Sequence, residues 1–145
     1  MTWERTAAAR STAPPGRVWD VLLDGRRWSV WNPGVQWMTV EGALEPGGLV
    51  TMKPNGAPQT AFRIEALQPN RLLALAVRFG PVAMLRMRWE LAPDADGTAI
   101  VQAVGIDGPL AGLLLRRAAE RIAAAMPENL ERLGVRAAAV TAEPA

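Results

Sequence analysis

The sequence of 145 residues contains no cysteine, no histidine and no tyrosine, and its only lysine is Lys53. Disulfides, thiolate nucleophiles, imidazole bases and the usual transition-metal ligands are therefore excluded, which leaves carboxylates, arginines, hydroxyls and amides for chemistry. We expect no metal and no cofactor, and we single out no catalytic residue. Whether the protein is an enzyme is left open by its composition.

The sequence also has little excess of charge of either sign. It contains sixteen basic and fourteen acidic residues, so that the formal net charge is only +2. The isoelectric point near 10.3 follows from the lack of groups that titrate between about pH 5 and pH 12. Adjacent arginines occur only at Arg26/Arg27 and Arg116/Arg117, and no basic stripe is interleaved with aromatic residues. We predict no nucleic-acid partner.

Long hydrophobic runs are absent as well. No apolar run approaches the roughly 18 residues of a membrane span, and the opening MTWERTAAARS lacks the apolar centre of a signal peptide. We expect no integral membrane contact and a cytoplasmic location. Half of the residues are nevertheless apolar, which is enough for one core at this length. We predict a single domain over residues 1–139 and a frayed tail over residues 140–145.

Turn signals divide the chain into short elements. Residues 2–12 alternate weakly and predict a first strand, after which GRVWDVLLDG and RRWSVWNP have the spacing of two short helices. From Val35 the apolar period is two, and turns at EPGG, PNGAP, QPN, GP and PDADG predict about six further antiparallel strands. The segment LRMRWEL alternates strictly, whereas RLLALAVRF is apolar throughout and is expected to be covered on both faces.

Helical spacing returns from about residue 109 to residue 138. Pro127 lies inside this segment, and we predict a kink there within one helix. A single amphipathic helix of this length can bury its apolar stripe only if the sheet curves around it, so the predicted fold class is α+β. The expected stripe consists of Leu110, Leu114, Ala118, Ile122, Met126, Leu130 and Leu133.

Such a sheet encloses an apolar cavity if its inward positions are not all bulky. Trp19, Trp28 and Trp31 are expected to anchor the core, and Trp31 is the one that best suits a ligand wall. The small or flexible residues that we place inward are Ala66, Ala103, Ala118, Ala125, Met52, Met84, Met87 and Met126.

We predict that a ligand would contact apolar side chains from the strands and the last helix. Arg78 and Gln102 are the candidate polar groups of the pocket, since a buried arginine could orient a carboxylate or enolate oxygen. The predicted ligand-binding residues are Trp31, Met52, Phe62, Ile64, Leu75, Val77, Met84, Met87, Trp89, Leu114 and Met126.

The segment APPGRVWDVLLDGRRWSVWNPGV resembles the N-terminal signature of the START-like, Bet v 1-like (SRPBCC) superfamily. It is most similar to the bacterial polyketide cyclase/dehydrase-type branch, in which a P-x-x-V-W helix leads to a D-x-x-x-W-x-x-W-x-P helix. IEALQPNRLLALAV and the last helical segment resemble the central hairpin and final helix of that family. The resemblance spans about residues 3–138 and implies a helix-grip fold, with about seven strands around a long C-terminal helix and two short helices after the first strand.

Three functions are compatible with this resemblance. The first is binding of a lipid, polyketide or aromatic compound in a closed pocket of roughly 300 to 1,000 Å³. The second is a polyketide cyclase or dehydratase with a buried Arg or Glu, although family enzymes often use Tyr or His and this chain has neither. The third is a protein-interaction or regulatory module with a collapsed pocket and an exposed apolar patch near Val35 to Met38. A homodimer formed through an edge strand is allowed by all three.

Overall fold

The computed structural model describes residues 2–142, with side chains through Ala139. Strand β1 (Thr2–Ser11) leads into helix α1 (Pro15–Leu23), a 3-10 turn (Gly25–Arg27) and helix α2 (Trp28–Trp31). The strands β2 (Val35–Glu41), β3 (Leu49–Pro54), β4 (Thr60–Gln68), β5 (Leu72–Phe79), β6 (Ala83–Asp94) and β7 (Gly97–Asp107) follow, and the chain ends in helices α3 (Ala111–Leu114) and α4 (Arg116–Ala142). Of the predicted frayed tail, residues 143–145 lie outside the described part.

The seven strands form one antiparallel sheet in the order β1-β7-β6-β5-β4-β3-β2, so β1 and β2 are its edges. The predicted fold class is confirmed: the sheet is curved, two short helices follow the first strand, and the long helix closes the concave face. A tight turn joins β6 to β7 and pairs Asp94 with Gly97, whose φ of 146° favours glycine. Among residues 2–142, no helix combines the length and the hydropathy that crossing a membrane requires.

Helix α4 packs against the edge strand β1, β7 and helices α1 and α2. The inward positions of β1 beneath it include two alanines, Ala7 and Ala9, which lets the helix approach closely. A Cβ atom built on Gly134 would lie only 2.9 Å from the carbonyl oxygen of Arg10. The Ser11 hydroxyl donates a hydrogen bond of 2.7 Å to the Gly134 carbonyl, which fixes this crossing.

The expected helical stripe is wrong at its N-terminal end. Helix α3 ends before Leu115 and α4 begins after it, and the φ of −119° at Leu115 departs from that of a regular helix. The spacing that runs through this point in the sequence therefore does not describe one face. Leu110 and Leu114 are exposed, whereas Ala111, Leu115 and Ala119 are buried. Helix α4 continues through Pro127 as predicted, and a kink there stays a prediction.

Strand β5 does not have a second covering layer, contrary to the expectation from its apolar sequence. Its convex positions include Ala74 and Ala76, which pair with Arg88 and Arg86 of β6. The long aliphatic stems of neighbouring arginines can cover alanines while their guanidinium groups stay in water. The sequence of β5 is therefore apolar throughout because its convex positions carry small residues that lie beneath arginine side chains at the surface.

Candidate ligand site on the concave face of the sheet

The concave face has two ends that differ in how they are covered. At the closed end, where the β6–β7 turn lies, α1 contacts β6, β7 and α4. At the open end, where the β5–β6 turn lies, the short helix α3 contacts β6 and β7, and the Leu110 N–H before it donates a hydrogen bond of 3.0 Å to the Val82 carbonyl. The candidate site is the concave surface between these two ends.

Three tryptophans, Trp28, Trp31 and Trp89, form an indole cluster deep in the concave side. The ring of Trp28 lies 4.8 Å from that of Trp31 and 5.6 Å from that of Trp89. All three are buried, and the prediction that Trp19, Trp28 and Trp31 anchor the core is confirmed. The Trp28 Nε1–H donates a hydrogen bond of 2.7 Å to the Leu22 carbonyl and so has its partner within the protein.

Exposure rises along the concave positions of β5 towards the open end. Leu73 and Leu75 are buried, Val77 is half-buried, and Phe79 is 42% exposed. Helix α3, which contacts β6 and β7, also carries exposed apolar residues, since Leu113 is 81% exposed and Leu114 is 53% exposed. The interior apolar surface of β5 therefore reaches water at the open end, at Phe79.

The buried polar side chains on the concave side are uncharged. Within the described residues, the buried polar set consists of Ser11, Thr51, Thr98, Gln102 and Asn129. Gln102 lies on β7 directly opposite Trp89 of β6. The buried atoms Trp31 Nε1, Trp89 Nε1 and Gln102 Oε1 have no hydrogen-bond partner within the described residues, and neither has Trp3 Nε1 at the sheet edge.

Most of the predicted ligand contacts share this face. Leu75, Met87, Val77 and Ile64 follow the concave register, because Leu75 pairs with both Ile64 and Met87 and Val77 pairs with Leu85. Met52, Phe62, Trp31, Trp89, Gln102 and Met126 are buried. Their contact with a ligand stays a prediction.

Three predicted site residues lie elsewhere. Met84 pairs with Arg78 on the convex face, and the Arg86 side chain reaches the Met84 sulfur there. Leu114 is on the exposed surface of α3. The sequence does contain a signal for the convex placement of Met84 and Arg78. Side chains alternate along a strand, and the neighbouring residues Leu85 and Val77 are apolar and face inward.

The expectation of small inward residues is also partly wrong. A bulge between Ile64 and Ala66 shifts the pairing, so that Ala66 joins Ala74 on the convex face, where Ala103 also lies opposite Arg88. Ala125 is exposed and Ala118 is half-buried. Met52, Met87 and Met126 remain as the flexible inward residues.

Prominent surface depressions lie outside the concave face. One of about 590 Å³ is on the convex face and includes Arg63, Ala76, Arg78 and Met84 in its lining, and another of about 590 Å³ includes Val30 and Val135 between α2 and α4. The closed pocket that the sequence predicts on the concave side, and its volume, stay a prediction.

Neither of the other two sequence-based functions has its expected site. Val35 and Met38 are buried, so the apolar patch predicted around them is wrong, and the exposed leucines are on α3. Arg78, the arginine considered for an enzyme, faces away from the concave side. Among residues 2–142, no group of three or more acidic residues is placed to hold a metal ion.

The ionisable pair with clear pKa shifts lies on the surface near the β6–β7 turn. Arg10 contacts Asp94 with a nitrogen–oxygen distance of 3.0 Å. The hydrogen bond from Arg10 lowers the pKa of Asp94, and the same bond raises the pKa of Arg10. This pair joins the end of β1 to the end of β6 and takes no part in the concave site.

Comparison with known proteins places this geometry in a family. The sequence profile of the family described as "Polyketide cyclase / dehydrase and lipid transport" matches residues 2–138. No curated protein matches the chain. The resemblance to the Bet v 1-like, SRPBCC superfamily is confirmed by that profile and by the solved structures below.

Several solved structures share the fold at low sequence identity. Ara h 8.0201 is 11% identical, with a TM-score of 0.71 over 96% of this chain and 99% of its own. Protein MLL2253 from Mesorhizobium loti is 15% identical, with a TM-score of 0.68 over 98% of this chain and 100% of its own. Protein CV1439 from Chromobacterium violaceum is 19% identical, with a TM-score of 0.64 over 93% and 97% of the two chains.

Proposed function

The chain belongs to the polyketide cyclase/dehydrase and lipid transport family, and from this premise we propose that it binds a hydrophobic small molecule between the concave face of the sheet and helices α3 and α4. Membership in this family supports hydrophobic ligand binding as the general class of function. A lipid, a polyketide and an aromatic compound all belong to that class. The proposed access route is the open end, beside α3.

The observation that carries the proposal is the rise in exposure along the concave positions of β5, from Leu75 through Val77 to Phe79. Exposed apolar residues scattered singly need no explanation, but Phe79 is joined to the buried concave surface by its own strand. A hydrophobic ligand at this place would be removed from water together with the apolar side chains that it contacts.

Binding without acid–base chemistry is favoured over the cyclase or dehydratase alternative. Acid–base catalysis in a pocket needs an ionisable group within reach of the reacting atom. The buried polar residues of the described chain are hydroxyl and amide residues, and Arg78 is on the other face. The regulatory-module alternative would use the α3 leucines as a docking surface and would not need concave binding.

The proposal can be tested with N-phenyl-1-naphthylamine, an uncharged apolar dye whose fluorescence rises when it leaves water. The purified chain should bind the dye, and native mass spectrometry should detect co-purified apolar molecules that compete with it. The variant Val77→Trp places an indole at the half-buried concave position of the open end. We expect it to weaken dye binding by about tenfold or more, equivalent to about 1.4 kcal/mol.

The matched control is Arg78→Trp, which adds the same side chain to the next residue on the convex face. We expect the dye affinity of this control to stay within about twofold of that of the unmodified chain, because the new side chain lies outside the concave face. A twofold change corresponds to about 0.4 kcal/mol. Absence of dye binding and of co-purified molecules would refute the proposal. Equal effects of the two variants would place the bound dye somewhere other than the concave face.

A further inference from the structure

Four buried side-chain atoms have no hydrogen-bond partner within the described residues, and three of them, Trp31 Nε1, Trp89 Nε1 and Gln102 Oε1, belong to the indole cluster and to the residue opposite it. Trp89 is 1% exposed and Gln102 is 4% exposed, and the two face each other across β6 and β7. Trp31 joins them through Trp28, whose ring contacts both other indoles. Buried polar atoms in folded proteins almost always have a hydrogen-bond partner, so an unpartnered set at one place indicates a group that is supplied from outside.

These three atoms differ from the other buried polar groups beside the indole cluster, and a fourth unpartnered atom, Trp3 Nε1, lies apart from that cluster on the edge strand β1. Trp28 has the same indole N–H and lies in the same cluster, yet its hydrogen bond to the Leu22 carbonyl is made within the chain. Thr98 and Ser11 also have partners, the carbonyls of Ala13 and Gly134. The fold is therefore able to satisfy buried polar groups beside the site, and it leaves Trp31 Nε1, Trp89 Nε1 and Gln102 Oε1 without one.

The chemistry of the three atoms restricts what could satisfy them. An indole N–H only donates, and an amide oxygen only accepts. A carboxylate would accept from the indoles but would repel the Gln102 oxygen, and the buried polar residues of the described chain supply no cation to balance it. An ammonium group would serve Gln102 and leave the indoles unpaired. A hydroxyl group accepts one hydrogen bond and donates another, so it can satisfy both kinds of atom.

We infer that the hydrophobic molecule bound on the concave face carries an uncharged hydroxyl group, an alcohol or a phenol, which accepts a hydrogen bond from Trp89 or Trp31 and donates one to Gln102. This inference rests on the proposed function and specifies the class of molecule. A structural water could satisfy the same atoms, and the experiment below separates the two.

The test compares 2-naphthol with 2-methylnaphthalene, in which a methyl group replaces the hydroxyl on the same ring system. Each displaces N-phenyl-1-naphthylamine from the full chain, and the quantity measured is the Kd of 2-methylnaphthalene divided by the Kd of 2-naphthol. Gln102→Leu removes the accepting oxygen and puts an apolar side chain of similar size in its place. We expect this ratio to fall by about tenfold in Gln102→Leu, because the naphthol loses a hydrogen bond that the methyl compound never made.

Two further variants keep the test decisive. Val101→Ala changes the neighbouring residue, which belongs to the opposite face of β7, and should leave the ratio unchanged. Trp89→Phe keeps an aromatic ring and removes the N–H, so it should also lower the ratio, and it decides the matter if Gln102→Leu does not fold. The charged analogue 2-naphthoate should bind the unmodified chain at least about tenfold more weakly than 2-naphthol.

The outcomes distinguish this inference from the proposed function. Displacement by both naphthalenes with the same ratio in the unmodified chain, Gln102→Leu and Trp89→Phe would overturn the hydroxyl and leave hydrophobic binding standing. That unchanged ratio, together with a lower melting temperature of unliganded Gln102→Leu, would assign the three atoms to a structural water. Binding of 2-naphthoate as tight as that of 2-naphthol would refute the uncharged group. Displacement by none of the compounds from a chain that binds the dye would refute the hydroxyl group, whereas absence of dye binding and of co-purified molecules would refute both proposals.

Discussion

The closed and open ends of the concave face are built from similar apolar residues and differ in how these residues are covered. At the closed end, α1, α2 and α4 lie over the sheet, and Trp28 has no exposed surface, 0%. At the open end, the covering helix α3 has only four residues, and its Leu113 is 81% exposed. Stability should therefore depend on the closed end, and access of a ligand should depend on the open end.

The largest effect is expected from removing an indole of the closed end. Trp28→Ala deletes a fully buried ring that contacts Trp31 and Trp89, and we expect the free energy of unfolding to fall by about 3–5 kcal/mol in urea titrations. Trp28→Phe keeps most of the ring and loses the hydrogen bond to Leu22, so a smaller loss of about 1–2 kcal/mol is expected.

The matched change at the open end is Leu113→Ala. Because this side chain is mostly in water, the free energy of unfolding should change by no more than about 0.5 kcal/mol. A loss at Leu113 as large as that at Trp28 would contradict the division of the concave face into two ends. Such a result would mean that α3 is part of the stabilising core.

The next largest effect concerns the contact that seats α4 on β1. Alanine normally favours a helix over glycine by up to about 1 kcal/mol. Gly134→Ala should instead destabilise by about 1–3 kcal/mol, since the new methyl group would lie 2.9 Å from the Arg10 carbonyl oxygen. The adjacent control Val135→Ala, at a position that is 70% exposed, should be neutral or slightly stabilising in the same titration. A stabilised Gly134→Ala would show that α4 can move away from β1 at little cost.

A smaller effect is expected on binding at the open end. Replacing Leu113 and Leu114 together by serine should weaken N-phenyl-1-naphthylamine binding by about three- to tenfold, because less apolar surface leaves water with the dye. The unfolding midpoint in urea should stay within error of the unmodified chain. Unchanged dye binding would instead favour α3 as a docking surface for a partner, the regulatory alternative.

The predictability of the fold differs between these regions for a physical reason. The strict alternation of Leu85, Met87, Trp89 and Leu91 is sufficient to define the buried face of β6, because side chains on a strand point to opposite faces in turn. The seven strands and the covering helix follow from such patterns and from the turn residues. The helix break at Leu115 has no such signal, because the residue there is neither glycine nor proline. The spacing therefore predicts that Leu110 and Leu114 belong to the buried stripe, whereas that stripe begins only after the break.

The candidate site is less predictable than the fold because it depends on register. The segment PDADG predicts a turn, but only the pairing of Asp94 with Gly97 places Trp89 opposite Gln102. A turn that was one residue longer would put a different residue opposite Trp89. The bulge after Ile64 moves Ala66 to the convex face in the same way. Gln102 could be proposed as an inward polar residue from alternation, whereas its lack of a partner needed the structure.

The smallest effect is expected for the exposed ion pair between Arg10 and Asp94 at the closed end. The pKa of Asp94 is lowered in the folded state, chiefly by the hydrogen bond from Arg10, so its contribution to stability is present above the unfolded-state pKa of about 3.9 and is lost as the pH falls through the lower folded-state value. The pair is exposed, and salt screens it, so the contribution is small. Urea midpoints of the unmodified chain and Asp94→Asn should differ slightly near pH 7 and converge in acid. A difference that instead grows as the pH falls would reverse the sign of this coupling and show that the charged carboxylate opposes closure of β1 onto the β6–β7 turn.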